Sequence, residues 1–112
     1  MKNKISYEDF EKVDVRVGRI VQVEDFPEAI KPSYKLKIDF GEKIGTKNSS
    51  VQITNYSKEE LMGREVLGVV NFHPKQIANF LSETLTLGVS DKDGNVILLK
   101  PDKDVELGAR MF

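Results

Sequence analysis

The sequence lacks cysteine entirely and contains a single histidine. The absence of cysteine excludes disulfide bonds, thiolate metal sites and cysteine nucleophiles, and it fits a reducing compartment, so we expect the cytoplasm. No stretch approaches the roughly 18 consecutive apolar residues that a membrane span requires. No apolar signal segment follows the basic N-terminus. We therefore expect a soluble protein without membrane insertion.

Catalytic and metal-binding patterns are missing as well. His73 precedes Pro74 and has no ligand-type neighbours at metal-site spacing, which favours a structural or surface role. Ser49 and Ser50 lack the G-x-S-x-G pattern of a nucleophilic serine. Residues 91–95 begin like a calcium loop, but the spacing is wrong and no glutamate closes it. We therefore expect no cofactor, no metal and no enzymatic activity, and we interpret the chain as a binding protein.

The overall composition is that of an ordinary globular protein. Hydrophobic residues make up 39% and charged residues 31% of the 112 residues, and the formal net charge is −1. This length predicts one domain over residues 1–112. The net charge provides no global positive field, so nucleic-acid binding would need a local basic patch.

Two short helices are predicted from capping boxes. Ser6 and Asp9 have the spacing of one box, and Ser57 and Glu60 have the spacing of the other. Ile5 and Phe10 are placed to form a hydrophobic staple over the first helix. Gly63 is placed to end the second helix after less than two turns.

Apolar periodicity predicts five or six strands. Alternating residues indicate a strand over 13–23, with a bulge or bend at Gly18, and the clearest strand over 34–40. An apolar run predicts a strand covered on both faces over 65–72, and residues 82–89 and 96–99 are further strands joined by a tight turn. With no helix long enough for a parallel crossover, this pattern predicts an all-β, five-stranded antiparallel barrel of the OB-fold type with terminal extensions.

Two sets of residues could form a binding surface. Donors and acceptors that barrel closure could bring together are Lys47, Asn48, Ser49, Ser50, Gln52, Asn71, Gln76 and Ser82. Phe72 and Phe80 could stack on the bases of a single-stranded nucleic acid, although both rings could equally belong to the core. The apolar residues of 77–81, which we expect on a loop after Pro74, would suit an extended peptide if exposed, whereas the alternative is that they cover one end of the barrel.

Several segments resemble the tRNA-binding domain appended to methionyl- and phenylalanyl-tRNA synthetases. They are residues 14–20 (Asp-Val-Arg-Val-Gly-Arg-Ile), 26–29 (Phe-Pro-Glu-Ala), 61–66 (Leu-Met-Gly-Arg-Glu-Val), 70–72 (Val-Asn-Phe) and 82–83 (Ser-Glu). Within that superfamily, residues 38–41, 44–54 and 71–78 resemble the CsaA branch of free-standing secretion chaperones. The resemblance covers nearly the whole chain.

The resemblance implies an OB-fold homodimer that binds unfolded or precursor proteins together with the export motor. The tRNA-binding relatives carry Lys-x-Arg-Gly and then Ser-x-Gly-Met, where this chain has Gln76, Ala78 and Asn79 and keeps only Ser82. Asparagine at 79 could replace the glycine because it adopts left-handed conformations more readily than most residues. The loss of the two cationic residues shifts the expected ligand from RNA toward polypeptide.

We therefore carry two hypotheses for the binding surface. The first is a peptide-binding chaperone whose contact residues are Phe72, Ile77, Phe80, Leu81, Asn71 and Gln76. The second is a tRNA-binding protein whose contact residues are Lys47, Ser49, Ser50, Gln52, Lys75 and Ser82. The two functions are compatible, because one concave barrel face could serve either ligand.

Overall fold

The computed structural model describes all 112 residues and consists mainly of short antiparallel strands. The elements in chain order are α1 (Tyr7–Glu11), β1 (Val15–Asp25), β2 (Tyr34–Asp39), β3 (Thr46–Val51), α2 (Lys58–Leu61), β4 (Glu65–Val69), β5 (Lys75–Ile77), β6 (Phe80–Ser82), β7 (Leu85–Thr86), β8 (Gly88–Ser90) and β9 (Val96–Leu98).

Five of these strands form one antiparallel sheet with the order β3-β2-β1-β4-β7. The sheet curls until its two outer strands meet: the carbonyl of Asn48 in β3 accepts hydrogen bonds from the amides of Glu83 (2.8 Å) and Thr84 (3.2 Å), directly before β7. α2 lies between β3 and β4 in the chain. The nearly closed five-stranded barrel of the OB-fold, predicted from the sequence, is confirmed.

Alternating side chains of β2 build the centre of the core. Leu36 and Ile38 are buried, and they pack with Ile20 of β1 and with Phe40 just beyond β2. A Cβ atom at Gly18 would lie 2.5 Å from Ile38 Cγ2 and 2.8 Å from Phe40 Cε1. The prediction of a bulge at Gly18 is wrong, because the register shift lies between Ile20 and Gln22 and Gly18 instead makes room for the Phe40 ring.

Both helices begin at the predicted residues. The side chains of Ser6 and Ser57 accept from the amides of Asp9 and Glu60, and both capping boxes are complete. Leu61 at the end of α2 is fully buried. The staple over α1 does not form, because Ile5 is 70% exposed. α1 thus lies on the surface, whereas α2 closes one end of the barrel.

The two ends of the chain lie side by side along the first residues of β1. The amides of Gly108 and Met111 donate to the carbonyls of Val17 and Val15, each at 2.8 Å. Arg110 Nη2 contacts Glu11 Oε2 of α1 at 2.9 Å.

None of the helices is long and apolar enough to cross a membrane.

The second half of the chain departs from the predicted strands in two places. β4 ends at Val69 rather than at residue 72: the Val70 amide still donates to the Asp14 carbonyl at 2.9 Å in register with β1, but the Asp14 amide donates to the Asn71 side chain instead of the main chain. The strand predicted over 82–89 is divided among β6, β7 and β8. The division gives residues 80–82 to a separate hairpin, which forms one wall of the candidate site.

A groove beside a short hairpin is the candidate binding surface

Residues 75–82 form a small hairpin, which we call the flap. β5 and β6 pair from Lys75 with Ser82 to Ile77 with Phe80, around a two-residue turn at Ala78 and Asn79. The predicted role of Asn79 in the turn is wrong in detail, since Ala78 carries the positive φ of 51°. Tight hairpin turns require a residue with positive φ, and Ala78 takes this position. The Ala78 carbonyl also accepts a hydrogen bond from Gln76 Nε2 at 2.9 Å. The sequence pattern had indicated a loop here.

The flap is anchored to the barrel by Phe80. Its ring meets the buried ring of Phe26 edge to face, with centroids 5.5 Å apart. The Lys35 ammonium group lies 5.5 Å from the Phe26 centroid and 5.9 Å from that of Phe80, in the range of cation–π attraction. The Phe80 ring is therefore half-buried, because it packs against the Phe26 ring. Phe80 thus anchors the flap, and its contact with a ligand stays a prediction.

The flap forms one wall of a groove of about 790 Å³, which we call the flap groove. Its lining includes five of the residues predicted as contacts, namely Ser50, Gln52, Lys75, Gln76 and Ile77. The fold adds further residues from the loop before β2, from β7 and from β9: Glu28, Ala29, Ile30, Lys31, Ser33, Leu85, Thr86 and Val96. The volume lies in the range of ordinary ligand sites.

A second cavity of about 460 Å³ adjoins the flap groove and shares Ser50, Lys75, Ile77 and Leu85 with it. It adds Phe72, His73 and Ser82 from the predicted segment. The two cavities form one depression around the flap. Most of the predicted surface residues therefore come together in space, although they derive from separate strands.

Apolar side chains are exposed around this depression. Phe72 (55% exposed) and Leu85 (50%) line it, and Leu81 on the flap, which lines neither cavity, is 45% exposed. The option that Phe72 belongs to the core is wrong, because β4 ends three residues earlier and leaves the ring outside the barrel. Exposed apolar groups that cluster beside a groove are typical of binding surfaces.

Leu85 was missed by the sequence reasoning because apolar residues of an alternating strand are expected to face inward. Here Thr84 and Thr86 face the interior instead. Thr84 Oγ1 donates to the Val69 carbonyl at 2.6 Å, and Thr86 Oγ1 lies 2.9 Å from Ser49 Oγ. These hydrogen bonds satisfy the hydroxyls inside the barrel and turn Leu85 toward the groove.

Two predicted contact residues are hydrogen-bonded within the chain, and one of them is inaccessible to a ligand. Ser49 is fully buried, with its hydroxyl paired to Thr86, so its assignment to RNA contact is corrected to a role in barrel closure. Asn71 Oδ1 accepts from the Asp14 amide at 3.0 Å, and Asn71 Nδ2 donates to the Lys12 carbonyl at 2.7 Å. The Asn71 side chain thus ties the end of β4 to the N-terminal segment; the residue is exposed, and its contact with a ligand stays a prediction.

The charges around the flap groove are few and lack ion-pair partners. Lys31 and Lys75 are exposed on opposite sides, and Glu28 is the only carboxylate in the lining. None of the three takes part in a salt bridge within the chain, and Lys47, the remaining predicted cation, is half-buried outside this groove. The groove therefore carries a small excess of positive charge on a largely apolar and hydrogen-bonding surface.

No cluster of three or more His, Cys, Asp and Glu side chains that could hold a metal ion is present. The site offers main-chain groups, amides, hydroxyls and apolar side chains, which can bind and orient a ligand. Barrel, flap and groove together define a binding domain of the OB-fold class.

Comparison with known proteins identifies the family within that class. Residues 15–110 match the family described as "Putative tRNA binding domain", and the chain belongs to this family. The methionine–tRNA ligases of Thermococcus onnurineus and Nanoarchaeum equitans are each 40% identical to it over 107 residues. These matches cover 96% of this chain but only 14% and 13% of the respective ligases. The shared part is thus a binding domain and a small fraction of each enzyme.

Solved structures place the chain among the CsaA-type members of the family. It is 59% identical to the CsaA chaperone protein of Picrophilus torridus, with a TM-score of 0.93 over 97% of this chain and 100% of the other. Against chaperone CsaA of Bacillus anthracis, the identity is 41% and the TM-score 0.92, over 98% and 100% of the two chains. The predicted resemblance to CsaA-type proteins with a tRNA-binding domain is confirmed.

Proposed function

We propose that this protein is a chaperone that binds unfolded or precursor polypeptides, with residues 1–112 acting as one binding domain. The observation that carries the proposal is the set of exposed apolar side chains on the flap and in the adjoining cavities: Leu81 lies on the flap, and Phe72 and Leu85 line the depression beside it. Such a surface is costly in water and gains free energy when it covers apolar segments of an unfolded chain. The two similar proteins described as CsaA chaperones support the same interpretation.

The chemistry of the flap favours polypeptide over phosphate. Gln76 and Ala78 stand where the tRNA-binding relatives carry cations, and Lys75 is the only charged residue of the flap. A phosphate backbone would find few cations there, whereas main chain would find amide and hydroxyl partners.

An aggregation assay tests the proposal directly. We expect the protein to suppress light scattering by a chemically unfolded client, and Phe72→Ser and Leu81→Ser to weaken that suppression several-fold. Val21→Ser is the matched control, since Val21 is 43% exposed, close to the 45% of Leu81, but lies on β1, outside the flap and both cavities. Equal activity of all four proteins would exclude the flap depression as the client site.

We also propose that the protein acts as a homodimer. Apolar side chains at the two adjacent chain ends support this: Ile5 is 70%, Tyr7 67% and Phe112 96% exposed. A dimer would cover such side chains and give a long client two sites with a gain in avidity. Analytical ultracentrifugation should give about twice the 12.7 kDa chain mass. Tyr7→Asp combined with Phe112→Asp should shift the mass toward the monomer, and a monomeric unaltered protein would contradict the proposal.

Among the partners, we propose precursor proteins and the motor that drives their export. The similar CsaA proteins and the exposed apolar groove support precursors as clients. Binding of the purified motor can be measured by biolayer interferometry with and without an unfolded precursor. Stronger motor binding in the presence of the precursor is expected, and no binding in either case would remove the motor from the proposal.

Transfer RNA is the second candidate ligand, favoured by the family match over residues 15–110. The exposed cations Lys37 and Lys75 could contact phosphates from β2 and the flap. Gel-shift titration with tRNA at several salt concentrations should then show an affinity that falls steeply with salt. Lys75→Ala should weaken binding and lower the salt slope by about one, whereas Lys103→Ala, a charge change in the C-terminal segment, should do neither. A salt-independent affinity would argue against phosphate contacts.

A further inference from the structure

Only some of the main-chain groups on the free edge of β3 have a hydrogen-bond partner. On this edge, the Ser50 amide donates to Ser82 Oγ at 3.3 Å. In an antiparallel strand, the N–H and C=O groups of one residue point to the same side, so the Ser50 carbonyl also faces the free edge. No group donates to that carbonyl, and neither the N–H nor the C=O of Gln52 forms a main-chain hydrogen bond.

These unpaired groups lie in the flap groove. Ser50 and Val51 of β3 and Gln52 directly after it line the groove, and Ile77 and Leu85 contribute apolar side chains. An open sheet edge is a template for pairing with another strand, and most proteins protect such edges. Here the flap bonds to β3 only through Ser82 Oγ at Ser50, the following Glu83 and Thr84 bond to Asn48, and the residues of the chain after Ser50 stay uncovered.

We propose that the flap groove binds one segment of an unfolded polypeptide as an added strand on β3. The main chain of the segment bonds to the carbonyl of Ser50 and to the N–H and C=O groups of Gln52. Its alternate side chains contact Ile77 and Leu85. Strand addition explains how one groove accepts many clients, because every polypeptide offers the same main-chain donors and acceptors. The inference rests on the proposed function and specifies its binding mode.

The charge of the flap groove indicates which class of peptide segment it binds. Lys31 and Lys75 flank the groove without ion-pair partners and outnumber Glu28. An extended apolar segment with one acidic side chain therefore complements the groove, whereas a basic segment would meet repulsion from both lysines. The preferred occupant is thus a Val- and Leu-rich peptide with a glutamate.

Peptides methylated at main-chain nitrogen test the mode, since methylation removes a donor and leaves the side chains. Three fluorescent Val- and Leu-rich peptides with one glutamate are compared by anisotropy: unmodified, methylated at odd amides, and methylated at even amides. An added strand uses one set of amides only, so one methylated peptide should bind about tenfold more weakly and the other nearly normally. Equal affinities of all three would overturn strand addition.

Amide exchange at Gln52 provides a second readout on the unaltered protein. The Gln52 N–H should exchange fast in the free protein and at least about tenfold more slowly with saturating peptide. Gln52→Pro should reduce peptide affinity, whereas Gln52→Ala, which keeps the main-chain donor, should not. If Gln52→Pro does not fold, the exchange measurement decides.

The outcomes separate this inference from the proposed function. Client suppression with no slowing at Gln52 overturns the added strand and leaves the chaperone function standing. Slowing at Gln52 by an RNA oligonucleotide, with none by the peptide, overturns the added strand in favour of nucleic acid. Absence of both client suppression and peptide binding removes the proposed function together with its mode.

Discussion

The barrel has two sides of different character. Around β1 and β2 the interior is apolar and closed, with Ile20, Ile38 and Phe40 at most 1% exposed. Where β3 faces β7, the interior contains the hydroxyls of Ser49 and Thr86, and the adjoining edge of β3 stays open. The first side stabilises the fold by apolar burial, whereas the second leaves main-chain groups and Leu85 available to a ligand. Stability and binding therefore reside in different parts of one small sheet.

The largest effect should come from the apolar side. Phe40→Ala removes a ring that contacts the positions of both Gly18 and Gly68, and it should lower the free energy of unfolding by about 3–5 kcal/mol. Urea denaturation measures this loss. Phe72→Ala is the matched control and should cost less than about 0.5 kcal/mol, because its ring lies outside the barrel. Comparable losses in the free energy of unfolding of both variants would contradict the conclusion that stability resides in the apolar side.

The second-largest effect on stability should come from the hydroxyl pair of Ser49 and Thr86 at the seam, the place where β3 faces β7. Ser49→Ala leaves Thr86 Oγ1 buried without its partner and should cost about 1–3 kcal/mol. Replacing both partners, Ser49→Ala with Thr86→Val, should restore part of the loss, because two apolar groups of similar shape leave no unpaired hydroxyl. Thermal denaturation of the four proteins forms a double-mutant cycle. A double variant as unstable as the sum of the singles would show that the pair does not act as a unit.

The flap anchor, Phe80, should have a smaller effect on stability, confined to the flap. Phe80→Ala removes the ring contact with Phe26 and should cost about 1–2 kcal/mol. Because the loss is confined to the flap, amide exchange should accelerate in β5 and β6 and not in β2. Phe80→Leu keeps apolar contact and should retain most of the protection. Acceleration throughout the barrel would show that the flap and the core unfold together.

The smallest effect concerns the turn between β8 and β9, which lies outside both sides. Amides of Asn95 and Asp93 donate to the Asp91 carboxylate and hold the pKa of Asp91 below its ordinary value. A lowered pKa stabilises the fold above the unfolded-state pKa, and this stability is lost as the pH falls below about 4. The melting temperature of Asp91→Asn should therefore lie below that of the unaltered protein at pH 7 and approach it under acid conditions. A difference that does not change with pH would exclude the charge as the cause.

Local patterns were sufficient for the elements that depend on neighbours in the chain. The caps at Ser6 and Ser57 and the alternation through Leu36 and Ile38 appear in the structure where they were predicted. Hydrogen bonds across three residues and a two-residue period require no distant partner. The flap was predicted as a loop, because its three-residue strands are too short to show a period and its turn uses Ala78 instead of glycine.

The sequence by itself determined an all-β barrel of the OB-fold type, the capped helices and the residues from which a binding surface is drawn. Only the tertiary structure decided which of those residues face a ligand. Ser49 turned inward because Thr86 lies 2.9 Å away across the seam, and Asn71 is held by the N-terminal segment. Leu85 turned outward because its neighbours Thr84 and Thr86 find hydrogen-bond partners inside. These outcomes depend on partners more than 14 residues away in the chain, which no local pattern contains.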